Sequence, residues 1–171
     1  MKEAANASGG LSPTGRKFLR ILHFLFTGGW IGGTAAMTFL SVLGASTTNV
    51  EVKRAVYLIM SRLDTRFIVP LVLGSIVSGV VLAKKTPWGV FRYKWVAAKL
   101  GLAVAMVIFA VSTVMPRVRR LADASAHADW AVVASLDKTL VAAAIAFMFG
   151  LLAVIAIAVF KPWGKWRRDD R

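Results

Sequence analysis

Two ionisable side chains interrupt otherwise apolar stretches of this sequence, and they are the first places to look for chemistry. His23 lies in FLRILHFLFTGGWIGGTAAMTFLSVLG (18–44) and Lys99 in KWVAAKLGLAVAM (94–106). Ionisable groups inside hydrocarbon are costly enough to count as functional candidates by default. A neutral imidazole can bind a metal through one ring nitrogen and donate a hydrogen bond from the other. If both helices run outward from the same side, the two residues sit at a similar depth, on the order of 7 Å below the boundary at helical rise, and can meet. Structural alternatives stand beside this reading. His23 can hydrogen-bond to a threonine or the backbone of a neighbouring helix, while Lys99 and Arg20 are long enough to snorkel to the head groups.

Other polar groups gather where the apolar runs end. Arg62, Asp64, Arg66 and Arg117, with Asp137 and Lys138, predict a carboxylate–guanidinium cluster that locks helix ends together. A proton or ion path through Asp64 is the alternative, weakened because no second carboxylate lies in the membrane interior. His127 stands near Asp123 and Asp129, a spacing able to hold a weak metal on a helical turn but more simply explained as exposed loop polarity. Carboxylate dyads, phosphate-cradling glycine loops, Ser/His/Asp arrangements and HExxH zinc motifs are all absent from the sequence. Without cysteine, thiolate catalysis, thiolate metal sites and disulfides are excluded.

The elements that must position these residues are membrane spans. Hydrophobic residues make up 57% of the 171, and about 20 apolar residues suffice to cross a ~30 Å hydrocarbon core. Four runs read as spans, 18–44, 67–83, 95–115 and 139–160, the second at the short limit unless the turns before it contribute. The sequence therefore predicts an all-α, polytopic membrane protein, a bundle of four transmembrane helices over 18–160. Residues 1–17 read as a flexible cytoplasmic tail and 161–171 as a basic one. A signal peptide cleaved after the first run is the rival reading, but that run is about twice the length of a signal h-region and carries Arg20 and His23.

Within the first run, Arg16, Arg20, His23, Thr27, Thr34, Thr38 and Ser41 recur at helical steps on one stripe, which should face protein. An amphipathic helix is predicted over 47–66, with Val52, Val56, Ile59, Met60 and Leu63 on its apolar side. Pro87 and Gly89 break the chain between the second and third spans, where Trp88, Phe91, Tyr93 and Trp95 form an interfacial aromatic group. The third span closes at Pro116, and 117–138 reads as a polar loop. The fourth run has almost no polar side chain and is expected to pack peripherally.

The formal charge of +14 would suggest nucleic acid in a soluble chain, but here Lys and Arg cluster at the flanks of apolar runs. Such flanks orient a membrane protein and attract anionic lipid head groups, so nucleic-acid binding is not expected. The greater share lies in the amino-terminal tail, the 84–94 connection and the carboxyl-terminal tail, which puts both termini in the cytoplasm. Small residues four apart, Gly28 with Gly32, Gly29 with Gly33, Gly74 with Ser78, Ser75 with Gly79 and Gly101 with Ala105, predict close helix packing and offer faces for a homodimer.

LHFLFTGGWIGG, RLDTRFIVPLVLGSIVSGVVLA and WVAAKLGLAVAM together resemble a bacterial superfamily of small four-helix membrane domains, over about residues 18–120. It includes CopD-like copper-resistance domains, the membrane protoporphyrinogen oxidase of haem synthesis, and predicted integral membrane proteins of unknown function. The matching points are Leu22-His23, Trp30 with Gly32-Gly33, Pro70, Gly79, Trp95 and Lys99-Leu100. The resemblance to the oxidase branch implies His23 as a haem ligand paired with Lys99. The chain departs from that branch at Ala110-Val111-Ser112, where a further histidine is expected. Met37, Met106 and Met148 are scattered, unlike the clusters copper transport requires. Three functions follow as expectations. The first is an inner-membrane protein of uncharacterised activity with a buried His23/Lys99 site for a small polar group. The second is a haem b redox protein with His23 as metal ligand and Lys99 and Arg20 facing propionates, and the third is a copper-handling protein.

Overall fold

A computed structural model of the chain describes residues 12–85 and 92–164. The predicted break at Pro87 and Gly89 and the flanking Trp88 and Phe91 lie outside those residues. Four long helices account for nearly all of the rest: α1 (Pro13–Ser46), α2 (Val50–Lys85), α3 (Lys94–Ala126) and α4 (Trp130–Phe160). Each is long and apolar enough to cross a membrane, and the chain is an all-α polytopic membrane protein. Lipid accounts for the many large apolar side chains left open on the outside, among them Phe24, Leu25, Phe39, Val77, Ile108 and Phe149.

Local sequence explains where the rods begin. Ser12 Oγ accepts from Gly15 N at 3.0 Å with Pro13 at the first helical position, so helix starts earlier than the apolar run does. Asn49 Oδ1 accepts from Glu51 N and Val52 N to start α2, and Asp129 Oδ1 accepts from Val132 N to start α4. Asp129 is thus a cap. His127 stays exposed, with Nδ1 3.5 Å from Asp123 Oδ1.

The predicted loop at 117–138 is largely helical. α3 runs through Pro116 to Ala126, and α4 begins at Trp130. Proline is tolerated because a π-helical segment, Ala110–Val114, ends just before it and has already broken the α ladder. α2 repeats the device, with a π-helical segment at Asp64–Ile68 followed by Pro70. Arg117 Nη1 donates to Thr113 O at 2.8 Å, satisfying a carbonyl of the π segment.

The rods extend beyond a bilayer at the end opposite the termini, where Val50–Leu63 packs on Met115–Ala126. Tyr57, Met60, Val118, Leu121, Val133 and Leu140 are fully enclosed in or beside this layer. Arg54 Nε donates to Ser125 O at 3.1 Å, a cation on the carboxyl-terminal end of α3. The guanidinium lock predicted here does not form. Asp137 pairs with Lys53 at 3.7 Å and accepts from Lys138 N, while Asp64 has no ion-pair or hydrogen-bond partner among the described residues.

α4 is not peripheral. It packs on α1 and on α3, and its Ala143, Ala144 and Leu151 are buried, since small apolar residues let neighbouring backbones close in. The glycine pairs of α1 divide by face. A Cβ at Gly29 would touch Leu71 and one at Gly33 would touch Ile68, both on α2, whereas Gly28 and Gly32 have nothing within 4 Å. Gly74 is tighter still, because a Cβ there would lie 2.6–2.7 Å from the Phe26 ring.

Gly74→Ala is therefore expected to cost about 1–3 kcal/mol by displacing Phe26. Gly28→Ala should be neutral or stabilising by up to about 1 kcal/mol through helix propensity. Thermal unfolding of the detergent-purified variants checks both.

Candidate functional site

The polar stripe of α1 faces α2. His23 Nδ1 lies 3.0 Å from Ser78 Oγ, and one turn on Thr27 Oγ1 lies 2.9 Å from Ser75 Oγ. Further along, Thr38 Oγ1 donates to Thr34 O and Ser41 Oγ to Thr38 O, so the rest of the stripe satisfies itself within α1. His23 does make a structural hydrogen bond to an adjacent helix, to a serine side chain where threonine or backbone was expected, and its Nε2 is not part of that bond.

Ser78 Oγ has a single proton, and its shortest contact is to Gly74 O at 2.6 Å. Spent there, the hydroxyl can only accept from the imidazole, which assigns the ring proton to Nδ1. Nε2 is left with its lone pair, and it has no hydrogen bond among the described residues. A ring held through Nδ1 with Nε2 open is the usual posture of a histidine that ligates a metal or accepts a proton. Gly79 makes room for it, since a Cβ there would stand 3.1 Å from His23 Cε1.

His23 lines a cavity of about 590 Å³ in the half of the bundle nearest the termini. All four helices contribute, α1 with Arg20, His23 and Trp30, α2 with Ser75 and Gly79, α3 with Trp95 and Lys99, and α4 with Leu151 and Val154. The structure thus brings Arg20, His23 and Lys99 to one space. Lys99 is half-buried, with no hydrogen bond or ion pair among the described residues, and Arg20 is exposed. Lys99 is close enough to act electrostatically on His23. Among the described residues no carboxylate lines this cavity, and those that do line it give it a cationic end and apolar walls. Lys94 N donates to Gly164 O at 3.2 Å and the Lys161 ammonium lies 5.8 Å from the Trp95 ring centroid, which ties the end of α4 to the start of α3 beside the cavity.

Ser75, Ser78 and Gly79 read in the sequence as packing residues, and their part in holding the imidazole was missed. Their spacing of three and four from one another, opposite a stripe that carries histidine and threonine, was the available signal. The copper expectation finds few donors. No three of His, Asp and Glu gather among the described residues, and Met37 lines a different cavity.

Four membrane-length helices with an imidazole-lined cavity between them define a polytopic α-helical membrane protein. The chain belongs to the DUF2269 family of predicted integral membrane proteins, whose family model matches residues 17–162. No curated protein and no solved structure matches it.

The hydrogen-bond assignment is open to a direct check by ¹⁵N NMR of histidine-labelled protein carrying His127→Gln, so that His23 alone reports. The spectrum should show Nδ1 protonated and Nε2 not. Ser78→Ala should shift the tautomer balance toward Nε2–H.

Proposed function

We propose that this protein binds, in the cavity nearest its termini, an apolar molecule bearing carboxylates, and that haem b is that molecule. The observation that carries the reading is His23, held through Nδ1 by Ser78 with no hydrogen bond to Nε2 among the described residues, in an apolar-walled cavity that Lys99 and Arg20 also line. A volume of about 590 Å³ lies in the range of cofactor and drug-sized sites. The residues fit the group in kind. His23 Nε2 would be the axial ligand, Lys99 and Arg20 would pair with propionates, and Trp95, Val154 and Leu100 would enclose the macrocycle.

When bound, haem would supply one-electron chemistry, and the chain's own part is to hold, orient and desolvate it. Ser78 fixes the imidazole plane and increases the basicity of Nε2 by accepting from Nδ1–H. Oxidase activity is not part of the proposal, because the further histidine of that branch is replaced by Ala110-Val111-Ser112, and Ala110 and Val111 line the other cavity. The distribution of Lys and Arg supports both termini facing the cytoplasm from a bacterial inner membrane. A reporter active only outside the cytoplasm, fused after Arg171, should therefore be silent.

Absorption spectra of detergent-purified protein, oxidised and reduced, from cells supplied with haem precursor test the main reading. A Soret band at about one haem per chain is expected in the wild type and should be lost in His23→Ala with folding intact. A well-folded, colourless wild type overturns it.

A further inference from the structure

A second cavity, of about 210 Å³, occupies the opposite half of the bundle. Its walls are apolar, including Met37, Ile68, Val72, Val107 and Phe147, with two hydroxyls from Thr34 and Thr38. Among the described residues the one ionisable side chain lining it is that of Asp64, 9% exposed. We infer that this cavity is a binding site for a lipophilic ammonium ion, with Asp64 pairing the cationic head and Trp30 offering its ring face.

The two aspartates buried among the described residues differ sharply. Asp137 is answered on both oxygens, by Lys53 at 3.7 Å and by the Lys138 N–H at 2.6 Å. Asp64 is answered on neither. Arg117 donates to Thr113 O, and Arg119, an exposed side chain, acts on Asp64 through space without an ion pair. Holding an ionised carboxylate among apolar side chains is costly, and a cationic ligand beside it would offset that cost.

The rest of the cavity specifies that partner. A bare metal ion would leave most of the volume empty and would find one carboxylate and two hydroxyls in place of a coordination shell. An anion would face Asp64. A molecule with an apolar body and a single positive head satisfies both the walls and the carboxylate, and Trp30, 3% exposed and lining the same space, adds a cation–π surface. The two π-helical segments, Asp64–Ile68 and Ala110–Val114, both contribute to the lining, one supplying Asp64 itself. π turns inside long helices recur at functional sites, and here two meet across one cavity. The site is independent of the haem reading, being built from residues in the other half of the bundle, with Trp30 alone shared.

Equilibrium dialysis of labelled n-hexylammonium against the detergent-purified full chain at neutral pH tests the inference, with hexanol and hexanoate as uncharged and anionic competitors. Saturable binding of about one per chain is expected, competed by neither, and at least ~10-fold weaker in Asp64→Asn, as for loss of a buried charge partner. Leu73→Trp, which crowds the cavity from its lipid side and keeps the carboxylate, should weaken binding as well and serves if Asp64→Asn does not fold. Absence of saturable binding overturns the inference. So does equal binding by Asp64→Asn, or competition by hexanol as effective as unlabelled amine, since either makes the cavity a purely apolar one.

Discussion

A side chain that can hydrogen-bond must find its partner inside the protein when lipid is the solvent, and the α1–α2 contact is built on that requirement. His23 with Ser78 and Thr27 with Ser75 are consecutive turns of one ladder. Each such bond contributes about 0.5–2 kcal/mol in a membrane. Their larger effect is on register, because a slip of one residue would turn both partners toward lipid. With that register fixed, Gly29 meets Leu71, Gly33 meets Ile68, Gly74 meets Phe26 and Gly79 meets the imidazole. The glycines are close-packed because the polar ladder sets which faces meet. The cavity around His23 is then what remains between this pair and the helices on its other side.

The same requirement governs the charges, and it separates them along the bundle. Arg20, His23 and Lys99 line one cavity and Asp64 the other, with no opposite charge among the described residues of either lining. Where the fold needs rigidity, as between Val50–Leu63 and α4, it pairs its charges directly through Lys53 and Asp137. Direct pairing is thus used where two helices are held together, while the charges that line the cavities meet no ion-pair partner among the described residues.

Much of this was legible in the sequence, and the reasons differ by element. Four apolar runs are a strong signal because hydrocarbon thickness sets their length, and the stripe of α1 is legible because helical period is strict. The identity of the partners was harder. Ser75, Ser78 and Gly79 look like any small-residue face until α1 is laid against them. Pro116 reads as a terminator under the ordinary rule for helix interiors. Only the π segment before it, a tertiary feature with no sequence signature, shows why α3 continues to Ala126. The expected lock around Asp64 failed because proximity in sequence between Arg62, Asp64 and Arg66 does not put them on one face, the steps between them being two residues. α4 looked peripheral for lack of polar groups, yet small apolar residues such as Ala143 and Ala144 are what close packing in lipid selects.

Trp30 is where these lines meet. It is buried, lies 6.3 Å from the Phe147 ring centroid, and borders both cavities, while Phe147 stacks in turn on Phe109 at 6.4 Å. The aromatic series forms a wall between a cationic space and an acidic one, and a side chain of that size is needed to reach both. Size alone would be met by other arrangements of apolar groups. The indole N–H is enclosed with no hydrogen-bond partner among the described residues, a state that costs about 1–3 kcal/mol and that phenylalanine would avoid. Packing thus accounts for a large ring at this position and not for the polar atom it carries. The Tyr57 hydroxyl, which borders neither cavity, is enclosed without a partner in the same way, so such atoms are a cost this core carries with and without a cavity beside it.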